Sequence, residues 1–332
     1  MAHAIEVVDG IELAVFNREP AWHRLGTVLD SPMDVDQAME AAHLKGWNVH
    51  HAELHAMTPD GFKALDSHAA TCRTNPINGQ IDVLGVTGKS YGIVQNEEAF
   101  AFAQNILDLS GTTVEAAGSL KGGKTVWMLL HLPQDVTLSG GDVIRPYLLV
   151  STGHDGTTAM TVQATTIRVV CANTLQASLA GDHPTYKVRH TSNASGSISD
   201  AREALDLGWS NMEAFEAEAN AWINRVVSVE ESIKIMDLLA PSPDWKDVEA
   251  GKMSKAAFTR AETRRDLLWD LDRNDIAHGS AWGLLNAFTE YADHYARPLL
   301  TPEKSAASAV GLWGTTWKDN ALKTIRKELI LN

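Results

Sequence analysis

The stretch Val143–Leu179, VIRPYLLVSTGHDGTTAMTVQATTIRVVCANTLQASL, constrains this chain more than any other. Two β-rich runs, Val143–Ser151 and Thr157–Val170, flank His154-Asp155-Gly156. A run of better helix formers, Ala172–Leu179, follows and stops at Gly181. Asp-Gly between β-branched segments signals a hairpin, because the turn needs positive φ and glycine takes it without steric cost. The stretch therefore predicts strand, tight turn, strand, helix. Along the second strand Met160, Val162, Ala164, Thr166 and Arg168 share one face, and Thr161, Gln163, Thr165, Ile167 and Val169 the other. Neither face is purely apolar, which predicts an antiparallel sheet with one working face rather than a parallel strand buried on both sides.

The flanking sequence divides at a polar linker, Ser192-Asn193-Ala194-Ser195-Gly196-Ser197. Before it strand patterns dominate: Trp47–Met57, Phe62–Arg73, Ile81–Val86, Tyr91–Val94, Val114–Leu120 and Thr125–Leu132. Two helices interrupt them. One is opened by Asp34 as N-cap with Gln37 three residues on; the other is capped by Asn96 and ends near Gly111. Beyond the linker the periodicity turns helical at Asp200–Val227, Val229–Leu239 (behind the capping box Ser228…Glu231), Lys255–Leu271, Ala281–Arg297 and Thr315–Leu331. Thr301-Pro302 opens a further short helix. The expected fold is thus α+β: an antiparallel-sheet domain with helices over residues 1–191, then a mainly helical domain over 199–332.

Net charge is −14 over 332 residues, which argues against a protein that coats nucleic acid with its whole surface. Residues 121–190 are the exception, with six Lys+Arg against four Asp+Glu. An anionic ligand is therefore expected there, on Lys121, Lys124, Arg145, Arg168, Lys187 and Arg189, with Trp127 and Tyr147 as stacking platforms. No run approaches 18 apolar residues and the N-terminus is acidic, so a cytoplasmic protein away from membranes is expected. The two cysteines, Cys72 and Cys171, suggest no disulfide framework, and Cys171 reads as a buried inert thiol.

Two motifs mislead. Gly118-Ser-Leu-Lys-Gly-Gly-Lys-Thr125 fits the phosphate-loop pattern, but that chemistry needs a helix directly after the lysine, whereas Thr125–Leu132 is β-rich and is stopped by Pro133. It reads as a hairpin turn. His51, Glu53 and His55 alternate along a strand and read as exposed strand residues rather than metal ligands. No catalytic set, metal site or cofactor is assigned. The seven tryptophans from Trp209 to Trp317 read as core or interface.

The strings Tyr91–Phe100, Ala117-Gly-Ser-Leu…Gly123-Lys-Thr-Val-Trp127, Asp155-Gly156, Arg168-Val-Val-Cys-Ala-Asn-Thr-Leu175, Lys187–Thr191 and Gly283–His294 resemble a family of phage- and plasmid-borne proteins known only as a domain of unknown function. The order of elements is also similar to the core of Rad-type single-strand annealing proteins. That similarity implies an oligomeric ring or filament with a basic groove. The resulting expectation is a non-enzymatic, homo-oligomeric protein that binds or anneals single-stranded DNA in recombination. The alternative is an interaction protein that engages a protein partner through its acidic surface.

Overall fold

The computed structural model describes residues 5–17, 26–157, 159–168, 173–176, 185–187, 198–295 and 315–329. The fold is α+β, with antiparallel sheets first and helices in the C-terminal part. Strands β1 (Val7–Val8) and β2 (Ile11–Glu12) form a small ladder around Asp9-Gly10, both at positive φ. They are followed by β3 (Ala14–Asn17), β4 (Thr27–Leu29) and helix α1 (Val35–Ala41), which Asp34 opens through the expected capping box with Gln37. A three-stranded sheet, β5 (His50–Thr58), β6 (Gly61–Thr74) and β7 (Ile81–Gly88), comes next and leads into α2 (Asn96–Ser110).

The large sheet is built on β8 (Thr113–Leu120), β9 (Thr125–His131), β10 (Val136–Thr137), β11 (Val143–Gly153), β12 (Thr161–Arg168), β13 (Asn173–Gln176) and β14 (Thr185–Lys187). Its strand order is β13-β12-β11-β9-β8-β3-β4, with β10 added on β11 and β14 on β12. All pairings are antiparallel except β3 with β4. Helices α3 (Ile198–Asn224), α4 (Val229–Leu239), α5 (Trp245–Glu249), α6 (Lys255–Asn274), α7 (Ala281–Glu290) and α8 (Thr315–Glu328) follow.

Alternation along β9 and β11 feeds two cores. Val126, Met128, Leu130, Leu148 and Val150 pack with Phe100, Phe102, Trp47 and the first half of α3. Trp127, Leu129, Tyr147 and Leu149 pack with Ile5, Ala14, Ala116 and Leu120 on the opposite face. Each such buried side chain contributes about 1.5–3 kcal/mol of burial. A third core joins the second half of α3 to α4, α6, α7 and α8, and it takes in Leu138 and Ile144 from the sheet region. One helix therefore runs through the core beside the sheet and the core of the bundle.

Several expectations are corrected. β9 and β11, at the middle of the large sheet, are covered on both faces, whereas β12 keeps the expected pattern, with Val162 and Ala164 in the core and Thr161 and Gln163 half-buried on the other face. Residues 173–176 are strand rather than helix: Leu175 pairs with Thr166 and Thr174 with Ile167, and this ladder overrides a local preference worth only tenths of a kcal/mol per residue. Val169–Ala172 and residues 177–179 lie outside the described residues. The connection from β11 to β12 is not a tight Asp-Gly turn. The ladder closes at Ser151↔Thr161, because β11 continues along β9 as far as Gly153 and His154 is drawn into the interior. Tyr91–Val94 carries no strand, and the cap of α2 is Gln95, with Asn96 buried as the first helical residue. α7 ends at Glu290 and continues as a π-helical turn, Tyr291–Tyr295. Thr301-Pro302 lies outside the described residues.

Candidate functional site

The register of the large sheet sorts the expected basic residues into two groups. Lys121 and Lys124 are exposed on the β8–β9 turn, which Lys121, Gly122 and Gly123 make with φ of 55°, 65° and 83°. That turn adjoins Thr125, which pairs with Gly153, while Lys187 pairs with Thr161 and Thr161 with Ser151. These three lysines therefore sit at one end of the sheet. Arg145 pairs with Ile167 and Arg168 with Ile144, at the other end. From Gly153 to Arg145 is eight residues, or roughly 26 Å of strand. Arg189 lies outside the described residues. Trp127 is 0% exposed and Tyr147 2%, so neither ring offers a face to solvent; Trp127 lies over Gly118, where a Cβ would stand 3.2 Å from the ring.

Beneath the lysine turn lies a buried charge network. Arg73, fully buried, donates to both carboxylate oxygens of Glu6 and, from Nη2, to Asp82 at 2.9 Å, and its guanidinium stacks 4.0 Å from the centre of the Trp47 ring. Glu6 also accepts from the Ser119 hydroxyl at 2.7 Å. The turn lies so close above this network that a Cβ on Gly123 would stand 2.5 Å from Arg73 Nη1. A strand, not a helix, follows the turn directly, so the phosphate-loop motif is a hairpin, as its context predicted. His154 completes the interior: its Nε2 pairs with Asn96 Oδ1 at 2.8 Å and its ring lies 5.8 Å from Trp47. Burial, reinforced by the Arg73 charge, lowers its pKa to about 4. It is therefore neutral at physiological pH, and Nε2–H donates to the amide oxygen while Asn96 donates onward to the Leu44 carbonyl at 2.8 Å.

The three-stranded sheet packs on this same end. A Cβ on Gly85 of β7 would stand 2.9 Å from Asp155, and one on Gly156 would stand 3.0 Å from Thr87. From here the β5–β6 hairpin runs outward, because β7 pairs only with His68–Thr74 of β6. The free arm carries the cross-strand pair Met57 and Phe62 near its tip, 85% and 76% exposed.

The Arg145 end holds a cleft of about 390 Å³. One row of the sheet, Thr113↔His131↔Tyr147, supplies its floor. Glu115 joins it from the same face of β8 as Thr113, two residues on, just before the ladder slips at Ala116. Asp135, just after β9, accepts from His131 Nε2–H at 3.2 Å and lies 3.8 Å from Arg145 Nε. The His131 and Tyr147 rings are 5.1 Å apart. Burial first, then the Glu115 charge, pushes the Tyr147 phenol well above its ordinary range against the pull of Arg145, so it stays protonated. Sequence reading names Arg145 and Tyr147 only as nucleic-acid contacts and does not name Glu115, His131 or Asp135; the strand pairing and the loop that gather them leave no pattern in the chain.

Among the described residues no cluster of three metal-ligating side chains occurs. His55 faces Glu53 at 3.7 Å on the exposed arm, and Cys72 is buried with its thiol pushed up by desolvation. Cys171 and Trp313 lie outside the described residues. Trp222 and Trp282 are core residues as expected, whereas Trp245 is 45% exposed. Among the described residues no helix is long and apolar enough to cross a membrane.

Residues 83–325 match the model of a family described as a domain of unknown function, DUF932. No curated protein and no solved structure matches the chain.

Proposed function

The chain belongs to the DUF932 family, and from that premise we propose that it is a non-enzymatic, phage- or plasmid-borne protein of DNA recombination that binds and anneals single-stranded DNA. It works in the cytoplasm as a homo-oligomer, in the manner of Rad-type annealing proteins. The observation that carries this reading is the lysine turn: Lys121 and Lys124 are both exposed on a hairpin that Arg73 and its carboxylates brace from below. Lys187 shares that end, and the β5–β6 arm leaves it. Phosphates meet the lysines, and the stacking role expected of Trp127 and Tyr147 passes to Phe62. Arg145 and Arg168 lie at the far end and take no part.

The test is fluorescence anisotropy of a labelled single-stranded oligonucleotide at low and physiological salt. Saturable binding is expected, weakening with salt. The double substitution K121E/K124E should weaken it at least tenfold and lower the salt slope by about 0.7 per lysine. F62A should weaken it by about 1–3 kcal/mol, independent of salt. Absence of binding at low salt would overturn the reading. Recovery of one stoichiometric protein partner would then favour the second one, an interaction protein working through its acidic surface, for which the net charge of −14 speaks.

A further inference from the structure

Opposite the lysine turn the molecule holds a second, chemically different site, the cleft over the row Thr113, His131 and Tyr147. Its volume of about 390 Å³ falls within the range of small-molecule sites, roughly 300–1,000 Å³. Its charge is wrong for a phosphate: two carboxylates, Glu115 and Asp135, face one guanidinium, Arg145. It is also wrong for a divalent metal, since the described residues hold no cluster of three ligands. What it offers is both signs at short range. Arg145 meets Asp135 only at 3.8 Å, longer than the roughly 2.7–2.9 Å of a full charge-assisted hydrogen bond, and its side chain is 43% exposed. One side of its fork also holds the Tyr147 phenol, and the remaining N–H groups of the five on a guanidinium stand beside that hydroxyl at the exposed side of the cleft. The buried, protonated Tyr147 hydroxyl lies between the influence of Glu115 and that of Arg145. His131 is held by Asp135 and its ring lies tilted against that of the tyrosine, which fixes the floor.

We infer that this cleft binds a small zwitterion of the amino-acid type, with its carboxylate on Arg145 and the Tyr147 hydroxyl and its ammonium on Glu115. Glu115 stands two residues from Thr113 on the same face of β8, beside the row that carries Tyr147, and lines the cleft with it. The inference is independent of DNA binding, because the two ends of the sheet share none of these residues.

The experiment is a thermal-denaturation screen of the full chain against each of the twenty common amino acids at millimolar concentration, with acetate and methylammonium as half-ligands, followed by calorimetric titration. At least one amino acid is expected to raise the midpoint and to bind at least tenfold more tightly than either half-ligand. E115Q and R145Q should each weaken that binding at least tenfold while leaving the unliganded melting profile unchanged. Y147F, which keeps the packing and removes only the hydroxyl, serves if either of those variants is unstable, and it should weaken binding severalfold. A screen with no amino acid shifting the wild-type midpoint overturns the inference. So does binding that all three substitutions leave untouched.

Discussion

His154 shows how one residue becomes part of the interior against its chemistry. A sequence reading sees it beside Asp-Gly and assigns it to a turn; the structure buries it against Trp47 and gives its Nε2 to Asn96. Nothing local could have revealed this, since Asn96 lies 58 positions away. The consequence is measurable. The folded pKa is about 4 against 6.5 for the free group, so the unfolded chain binds more protons between those values and stability rises with pH across them. The contribution is full above pH 6.5 and is lost as pH falls toward 4, amounting to roughly 3 kcal/mol. Urea unfolding of wild type and H154N from pH 4.5 to 7 should show a steeper pH dependence in the wild type. Equal slopes would mean that the imidazole does not titrate as the geometry requires. Trp127 and Tyr147 illustrate the opposite failure. Aromatic residues interleaved with basic ones in the positive segment point to stacking platforms, but that interleaving does not tell whether the face they lie on is covered, and both rings are buried.

At the scale of elements, the sequence was most legible where local chemistry and tertiary demand agree. The β8–β9 hairpin follows from Gly122-Gly123, and α4 begins where Ser228 and Glu231 cap each other. It was least legible where pairing decides, as at Asn173–Gln176, which the ladder to β12 makes a strand. The β5–β6 arm lies between these cases. Its strands follow from their residue pattern, but the slip in register between Glu53 and His55 and its projection beyond β7 do not. A two-stranded ribbon without a third strand is marginal in water. Amides of residues 55–64 should therefore exchange with deuterium at least a hundredfold faster than those of β9, which has a partner on each side. Bound oligonucleotide should slow the arm specifically. Protection in the free protein equal to that of β9 would show the arm to be covered in solution, and Phe62 unavailable for stacking.

At the scale of the whole molecule, the family match and the packing have different limits. The match begins at residue 83, inside β7, yet the core beside the sheet takes Leu13, Val15, Met33, Trp47 and Val49 from the segment before it. Those residues pack on Phe100, Met128 and Val150, and the same cluster extends to Ala201 and Met212 on α3. α3 then passes into the bundle through Phe215 and Trp222, so a defect in the first core reaches the second. Removing residues 1–82 would also uncover the β8 edge that β3 occupies and strip Gly123 and Ser119 of the Arg73–Glu6 network they cover. Unpaired edges of this kind recruit other chains. A fragment comprising residues 83–332 is therefore expected to aggregate or to lack a cooperative thermal transition, while the full chain melts cooperatively. Supplying residues 1–82 as a separate chain should restore part of the transition, because the missing contacts are packing and ladder contacts. A cooperative melt and native-like near-ultraviolet dichroism in the fragment alone would show that the segment before β7 adds to the fold without being required by it.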